Sequence, residues 1–211
     1  MTAPSARQLE QWFAGKEFTT DWTSAHVASW ADVLEPFREK KVEVLEVGAL
    51  EGRSSVFFLR FLPQARLTAI DSFWDKAAED RFNANTREFA QRLEVIKKLS
   101  INGLHDLIWA GRQFDFIYLD GTHERDLVVV DSILAWKVLK VGGVLIWDDY
   151  GLGNEWPDEW RPRTGIDLFL RMQLGSYKLL HKADQVVIRR TKGRDPQPGT
   201  TSKSNSSNPS G

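Results

Sequence analysis

The sequence predicts an α/β fold, a Rossmann-like seven-stranded sheet that is mostly parallel, with helices on both faces and a C-terminal antiparallel hairpin strand. Three observations predict it. Short apolar runs alternate with stretches of helical length, and a glycine-spaced turn follows the first run. Two further apolar runs flank a tight turn around Ala183-Asp184. Such alternation is typical of parallel sheets that are covered on both faces.

The predicted strands are the apolar runs, which have the length of strands. They are residues 42–47, 67–70, 93–96, 114–119 and 144–147, followed by 177–180 and 186–188 in the hairpin. The predicted helices are residues 24–38 with Ser24 as the N-cap, 54–61, 124–139, and about 164–174. Residues 141–143, Val-Gly-Gly, are predicted to end the third of these helices.

Length and composition indicate one ordinary domain. The chain has 211 residues, of which 42% are hydrophobic and 27% charged, enough for one sizeable core. We assign residues 1–40 to a helical and aromatic segment that packs on the core, and 41–191 to the α/β domain. Residues 192–211, rich in Ser, Pro, Asn and Gly, are predicted to be a disordered tail.

Charge and cysteine usage exclude several classes of function. The net charge of −1 gives no electrostatic footprint for nucleic acid. No apolar stretch approaches the roughly 20 residues that span a membrane, and the N-terminus lacks a signal-peptide pattern, so we expect no membrane partner and a cytoplasmic location. The absence of cysteine excludes disulfides, thiolate zinc sites and cysteine nucleophiles.

The turn at residues 46–52 predicts a pocket for a nucleotide-like cofactor. Gly48 and Gly52 would let the backbone turn sharply and approach a ligand, while Asp71, about 20 residues on, could bind both hydroxyls of a ribose. Ala49-Leu50 stands where a dinucleotide-binding loop has a further glycine, which disfavours a pyrophosphate.

Polar residues follow each predicted parallel strand, where ligands bind in open sheets. They are Glu46 and Gly48, Asp71 and Ser72, Ser100, Asp120 to His123, and Asp148 with Asp149. Any one of them could be a helix cap or a turn residue. Their joint placement at one sheet edge predicts a site.

These motifs resemble those of the class I S-adenosylmethionine-dependent methyltransferases, and within them the small bacterial group related to catechol and sugar O-methyltransferases. The resemblance covers about residues 42–190. Residues 46–54 look like the first motif of the family, 70–73 like its ribose-binding acidic motif, 114–123 like its fourth motif and 139–150 like the segment after it. The last two are the most specific, because dehydrogenases also have glycine turns.

The resemblance implies S-adenosylmethionine as the cofactor. Glu46 and Gly48 would face its methionine part, Asp71 its ribose, and Phe73 or Trp74 with Leu99-Ser100 its adenine. Gly52, Ser72 and Asp120 complete the expected cofactor site. Packing in the core explains Phe73 and Trp74 equally well.

A metal site is also implied by the resemblance, since Asp120, Asp148 and Asp149 match the acidic ligands of divalent-cation-dependent O-methyltransferases. Three oxygen ligands suit Mg²⁺. The ion would hold two neighbouring hydroxyls of the acceptor and lower the pKa of one, so that it attacks the sulfonium methyl in line. Alternatively, Asp120 caps a helix and the other two aspartates shape a turn.

His123 is the histidine predicted to lie near this edge. It could act as a general base, orient a ligand or cap the following helix. Sugar O-methyltransferases place a histidine soon after the paired aspartates, whereas this chain has Tyr150-Gly151, which leaves the base and a sugar acceptor open.

The acceptor pocket is predicted to form from two irregular segments, residues 18–22 and 151–163, the latter with Trp156 and Trp160. A homodimer contact or lid packing explains these aromatic side chains equally well.

The sequence therefore predicts a methyltransferase that uses S-adenosylmethionine to methylate a hydroxyl of a small molecule, with Asp120 and His123 as candidate catalytic residues. Two alternatives stay open. One is a relative with the same fold that performs metal-dependent hydroxylase-like or other chemistry. The other is a non-catalytic cofactor-binding protein.

Overall fold

A computed structural model describes residues 3–193 and confirms the seven-stranded sheet. The strands are β1 (Glu43–Val47), β2 (Arg66–Asp71), β3 (Leu93–Lys97), β4 (Phe114–Leu119), β5 (Leu139–Trp147), β6 (Tyr177–Lys182) and β7 (Val186–Arg190). Their order is β3-β2-β1-β4-β5-β7-β6. The first five strands are parallel, and β7 lies antiparallel between β5 and β6. The order reverses between β1 and β4, where open α/β sheets form a ligand crevice.

Helices cover both faces of the sheet, as predicted. They are α1 (Ala6–Phe13), α2 (Val27–Leu34), α3 (Arg53–Phe61), α4 (Lys76–Thr86), α5 (Ser100–Trp109), α6 (Arg125–Val138) and α7 (Pro162–Met172). Side chains of α1 to α4 pack into the core on one face, and those of α5 to α7 into the core on the other. Short 3₁₀ turns follow α2 and α4 and precede α7.

The structure corrects the prediction for the segment before β1. Helix α2 begins at Val27 with His26 at its N-cap position, so Ser24 does not cap it. The Ser24 amide and hydroxyl instead donate to the Asp21 carboxylate in the preceding turn. The helix ends at Leu34, where a 3₁₀ turn containing Pro36 takes over, since proline cannot donate within a helix. Helix α1 was not predicted.

Strand β5 is longer than predicted. It begins at Leu139 rather than at Val144, because the chain stays extended through Gly142 and Gly143. A register shift against β4 accommodates the additional residues, and Gly142 has a φ of +86° there. Helix α6 therefore ends at Val138, next to the start of the strand.

Buried polar contacts tie the N-terminal segment to the glycine turn. The Glu51 carboxylate accepts hydrogen bonds from the Thr19 amide at 2.6 Å and from the Thr19 hydroxyl at 2.8 Å, and it pairs with Arg81 at 2.6 Å. These bonds fix the chain that leads into residues 21–26.

Two further predictions concern the ends of the chain and membranes. The predicted tail lies outside the described residues from residue 194 onwards. Within residues 3–193, no helix has the length and apolar character needed to cross a membrane.

Candidate functional site

A cavity of about 820 Å³ opens at the carboxyl ends of the parallel strands. This volume is in the range of small-molecule sites. The structure brings most of the predicted site residues to its wall: Gly48, Asp71, Ser72, Phe73, Ser100, Asp120, His123, Asp148 and Asp149. Glu46 and Gly52 do not line it.

Gly48 allows the turn after β1 to lie directly against the turn after β4. Its φ is +84°, and a Cβ atom there would stand 2.0 Å from the carbonyl oxygen of Asp120. Gly48 is therefore required by both backbone conformation and space. Gly52 also has a positive φ, +80°, but a Cβ there would meet Phe82 and Thr86 of α4 rather than the cavity. Its position is explained by helix packing.

The Asp71 carboxylate organises the rim of the cavity through backbone donors. Its Oδ2 accepts hydrogen bonds from the amides of Ala49 at 2.8 Å and Leu50 at 2.9 Å, and its Oδ1 from the amide of Phe73 at 2.7 Å. Leu50 and Phe73 both have a φ of +45°, which is uncommon outside glycine and costs conformational free energy. The Asp71 bonds thus hold two strained residues at the cavity.

Glu46 lies beneath the glycine turn, so the expectation that it faces a ligand is not met. The carboxyl group is fully buried and accepts hydrogen bonds from the hydroxyls of Ser54 and Ser55 at the start of α3. Burial raises the pKa of Glu46 to about 7. The residue joins β1 to α3 rather than forming the cavity wall.

Three side chains gather as possible metal ligands: Asp120, His123 and Asp149. One ligand atom from each lies within 4.8 Å of the others. His123 Nε2 is 2.7 Å from Asp149 Oδ2 and 3.8 Å from Asp120 Oδ1. Asp149 also has a positive φ, +56°. Oxygen donors with one imidazole suit a divalent cation.

Electrostatics at this cluster also fit a cation. Burial, followed by the charges of Asp148 and Asp149, raises the pKa of Asp120. Hydrogen bonds to Asp120 and then Asp149 raise the pKa of His123. An Asp120 carboxyl group that holds its proton in this way would release it to a bound metal ion.

Asp148 lies outside that cluster, in a buried network, which differs from the predicted ligand set. It accepts hydrogen bonds from the Tyr118 hydroxyl and from Gln185 Nε2 at 3.0 Å. Gln185 in turn accepts from the Trp30 indole at 2.8 Å.

Helix α6 has Glu124 at its N-cap position and no side-chain cap, so the alternative of Asp120 or His123 as the cap is wrong.

The two predicted acceptor segments contribute unequally. Asp21 and Trp22 of the first segment line the cavity, and the Trp22 side chain is 68% exposed. His26 lines it too, so the expectation that His123 is the only histidine at this edge is wrong. From residues 151–163, Leu152 contributes to the cavity, whereas Trp156 and Trp160 lie outside its lining. Their part in a homodimer stays a prediction.

Sequence reasoning missed Asp131 in the cavity wall. It lies on the buried face of α6 with Val128, Ser132 and Ala135, and is 4% exposed. Burial raises its pKa to about 6, and a hydrogen bond with the Ser100 hydroxyl opposes the shift. The signal was an acidic residue at an apolar position of an amphipathic helix.

The reversal of strand order, the glycine turn and the strand-end carboxylates are the features of an open α/β sheet with a ligand crevice. A family model described as "Methyltransferase domain" matches residues 45–150, about half of the chain. The chain belongs to this methyltransferase family.

A protein of Acanthamoeba polyphaga mimivirus, described as uncharacterized, is 26% identical over 121 residues, which cover 54% of each chain. The match thus spans about half the length of that curated relative.

Solved structures of methyltransferases share the fold. An O-methyltransferase from Bacillus cereus in complex with SAH superposes with a TM-score of 0.67 at 19% identity, covering 90% of this chain and 92% of that one. TomG from Streptomyces achromogenes is an O-methyltransferase involved in tomaymycin synthesis and was solved with SAM. It superposes with a TM-score of 0.65 at 19% identity, covering 91% of this chain and 92% of TomG. MycE of the mycinamycin pathway was solved with Mg, SAH and mycinamycin VI. It superposes with a TM-score of 0.66 at 16% identity, covering 94% of this chain and 58% of MycE.

Proposed function

We propose that the protein transfers the methyl group of S-adenosylmethionine to an oxygen of a small molecule, with the help of a divalent cation. The observation that carries the proposal is one cavity that joins the Asp71 rim to the cluster of Asp120, His123 and Asp149. Family membership and the methyltransferases with the same fold support it.

The charge of the cavity favours S-adenosylmethionine over a phosphate-bearing cofactor. Its lining carries seven aspartates: Asp21, Asp71, Asp75, Asp120, Asp131, Asp148 and Asp149. Lys98 is the one lysine or arginine among the described lining residues, and it pairs with Asp106. Such a surface attracts a sulfonium cation and repels a pyrophosphate. We assign the ribose hydroxyls to Asp71, whose Oδ1 keeps a lone pair beyond its one backbone bond, whereas Oδ2 already accepts two.

The cation is assigned to Asp120 and Asp149, with Asp148 as the third carboxylate. Asp148 Oδ1 accepts from Gln185 and from the Asp149 amide, whereas Oδ2 accepts only from Tyr118 and keeps a second lone pair for a ligand. When bound, the ion would hold two neighbouring hydroxyls of an acceptor and lower the pKa of one. The Asp120 turn, fixed against Gly48, would bring that oxygen close to the methyl group.

His123 is assigned as the acceptor of the hydroxyl proton, in the state in which a bound cation engages the Asp120 and Asp149 carboxylates that otherwise raise its pKa. Its imidazole lines the cavity beside Asp149, so it lies within reach of an oxygen bound at the cluster. A methyl group passing directly from sulfur to oxygen requires no covalent intermediate with the enzyme.

The test is methyl transfer from S-adenosylmethionine with a tritiated methyl group to a panel of catechol-type and sugar-type vicinal diols. We expect a methylated ether that is lost in EDTA and restored by Mg²⁺. Cofactor binding without turnover on any acceptor would favour a non-catalytic binding protein. Cation binding without cofactor binding would favour the alternative chemistry, and either result would contradict the proposal.

A further inference from the structure

Part of the cavity wall is formed by α5 and α6, and we call it the α5–α6 wall. It consists of Leu99, Ser100, Ile101, Leu127 and Asp131. The three apolar side chains keep large exposed fractions, 62% for Leu99 and 42% each for Ile101 and Leu127. Exposed apolar side chains in a concave site favour contact with a flat, apolar part of a ligand.

Asp131 is the acidic group in this wall, and neither the metal cluster nor the Asp71 rim uses it. It is 4% exposed but still contributes to the cavity surface. The Ser100 hydroxyl at the first turn of α5 is the group that opposes the effect of burial on the pKa of Asp131. A carboxylate buried in an apolar wall is costly unless donors satisfy it, so a bound ligand with an N–H group would be favoured there.

The α5 part of the wall lies on the β3 side of the Asp71 rim, whereas α6, which follows β4, contributes Leu127 and Asp131 to the same cavity. Asp71 ends β2, and β3 pairs with β2 and leads through Leu99 into α5. The metal cluster lies on the other side of Asp71, at the ends of β4 and β5. Under the proposed function, the sulfur lies toward Asp120 and the ribose at Asp71, so the purine lies at the α5–α6 wall.

We propose that Asp131 makes the cofactor site selective for adenine by accepting a hydrogen bond from the 6-amino group of the base. Ser100 positions the Asp131 carboxylate through its hydroxyl. A 6-oxo purine presents an oxygen at the same place, which a carboxylate repels. A buried polar group discriminates strongly between a ligand that satisfies it and one that does not. This inference rests on the proposed function, because it requires an adenine-bearing cofactor.

The test compares adenosylhomocysteine with S-inosylhomocysteine, in which an oxo group replaces the 6-amino group, by calorimetric titration. We expect the wild-type protein to bind adenosylhomocysteine about 100-fold more tightly, the range of one hydrogen bond to a charged group. Asp131→Asn should weaken adenosylhomocysteine binding about 10-fold and bring the two affinities within about threefold, because an amide can donate to the oxo group.

Asp126→Asn is the matched control, since Asp126 is an exposed acid of the same helix that pairs with Arg125 outside the cavity. Its affinity ratio should equal that of the wild type. Asp131→Asn should fold, because burial disfavours the charge that it removes. If it does not fold, Ser100→Ala serves instead and should lower the ratio severalfold.

The outcomes separate the two proposals. If the wild type binds neither compound, the proposed function fails and this inference fails with it. The wild type could instead bind adenosylhomocysteine while Asp131→Asn, or Ser100→Ala where that variant is used, leaves the ratio of the affinities for the two compounds unchanged. In that case Asp131 does not recognise the 6-amino group of the base. The proposed function would then stand alone.

Discussion

The two halves of the cavity are built in different ways. In the cofactor half, three backbone amides satisfy the Asp71 carboxylate at 2.7 to 2.9 Å. In the metal half, Asp120 and Asp149 share one imidazole, and the neighbouring carboxylates raise the pKa of Asp120 after burial does. Folding alone therefore completes the first half, whereas the second half needs a cation to neutralise it. The following predictions separate these two descriptions.

The largest effect is expected for Asp71→Ala. Hydrogen bonds to a charged acceptor contribute about 1.5–3 kcal/mol each, and this change removes three of them from strained or turn residues. We expect the affinity for adenosylhomocysteine to fall about 1,000-fold, measured by calorimetric titration. Asp75→Ala is the control, because Asp75 caps α4 on the same rim. It should cost about 1 kcal/mol of stability and weaken binding far less.

Glu46→Gln tests the support beneath the cofactor half. The pKa of Glu46 is about 7 in the folded chain, against 4.5 for an ordinary glutamate, so the folded state binds an extra proton between these two pH values. The contribution of Glu46 to stability is thus present below pH 4.5 and is lost as pH rises through 7, by about 3 kcal/mol.

Chemical denaturation at pH 4.5 and pH 8 measures this contribution. The free energy of unfolding of Glu46→Gln minus that of the wild type should be about 3 kcal/mol larger at pH 8 than at pH 4.5. If the free energies of unfolding of the variant and the wild type differ equally at both pH values, the raised pKa of Glu46 is contradicted.

A smaller effect is expected for Asp149→Asn in the metal half. Removing one charged ligand should lower methyl transfer about 100-fold at a fixed Mg²⁺ concentration. Binding of adenosylhomocysteine in EDTA should stay within about threefold of the wild type, because the cofactor half does not depend on the cation. A parallel loss of both would show that the halves are one unit.

The smallest effect is expected at Trp22, in the exposed part of the cavity lining. Trp22→Ala should raise the KM for whichever diol is methylated about 10-fold, because an aromatic contact is removed from an exposed part of the cavity. Trp156→Ala, outside the cavity, should leave that KM unchanged. Equal effects of the two changes on the KM would contradict a contact between Trp22 and the acceptor.

The sheet was predictable from the sequence because each buried strand is an apolar run, and strand-end position then placed Asp71, Asp120 and Asp149 at one cavity. The partners of these side chains were not predictable. The bonds of Asp148 to Tyr118 and Gln185 join β5, β4 and the turn between β6 and β7, contacts that only tertiary packing creates.

Local patterns misled where two structures compete for the same residue. Ser24 has the chemistry of an N-cap, but it lies in a turn closed by its donation to Asp21, and the helix begins only after His26. Asp131 was hidden because a helix pattern of mixed apolar and polar residues does not reveal which single polar residue faces a cavity.

The most direct test of the central claim is calorimetric titration of adenosylhomocysteine into the wild-type protein in EDTA, with methyl transfer assayed in the same buffer. We predict binding that is equal with and without Mg²⁺, and methyl transfer only with Mg²⁺. An absence of binding under both conditions would contradict the account.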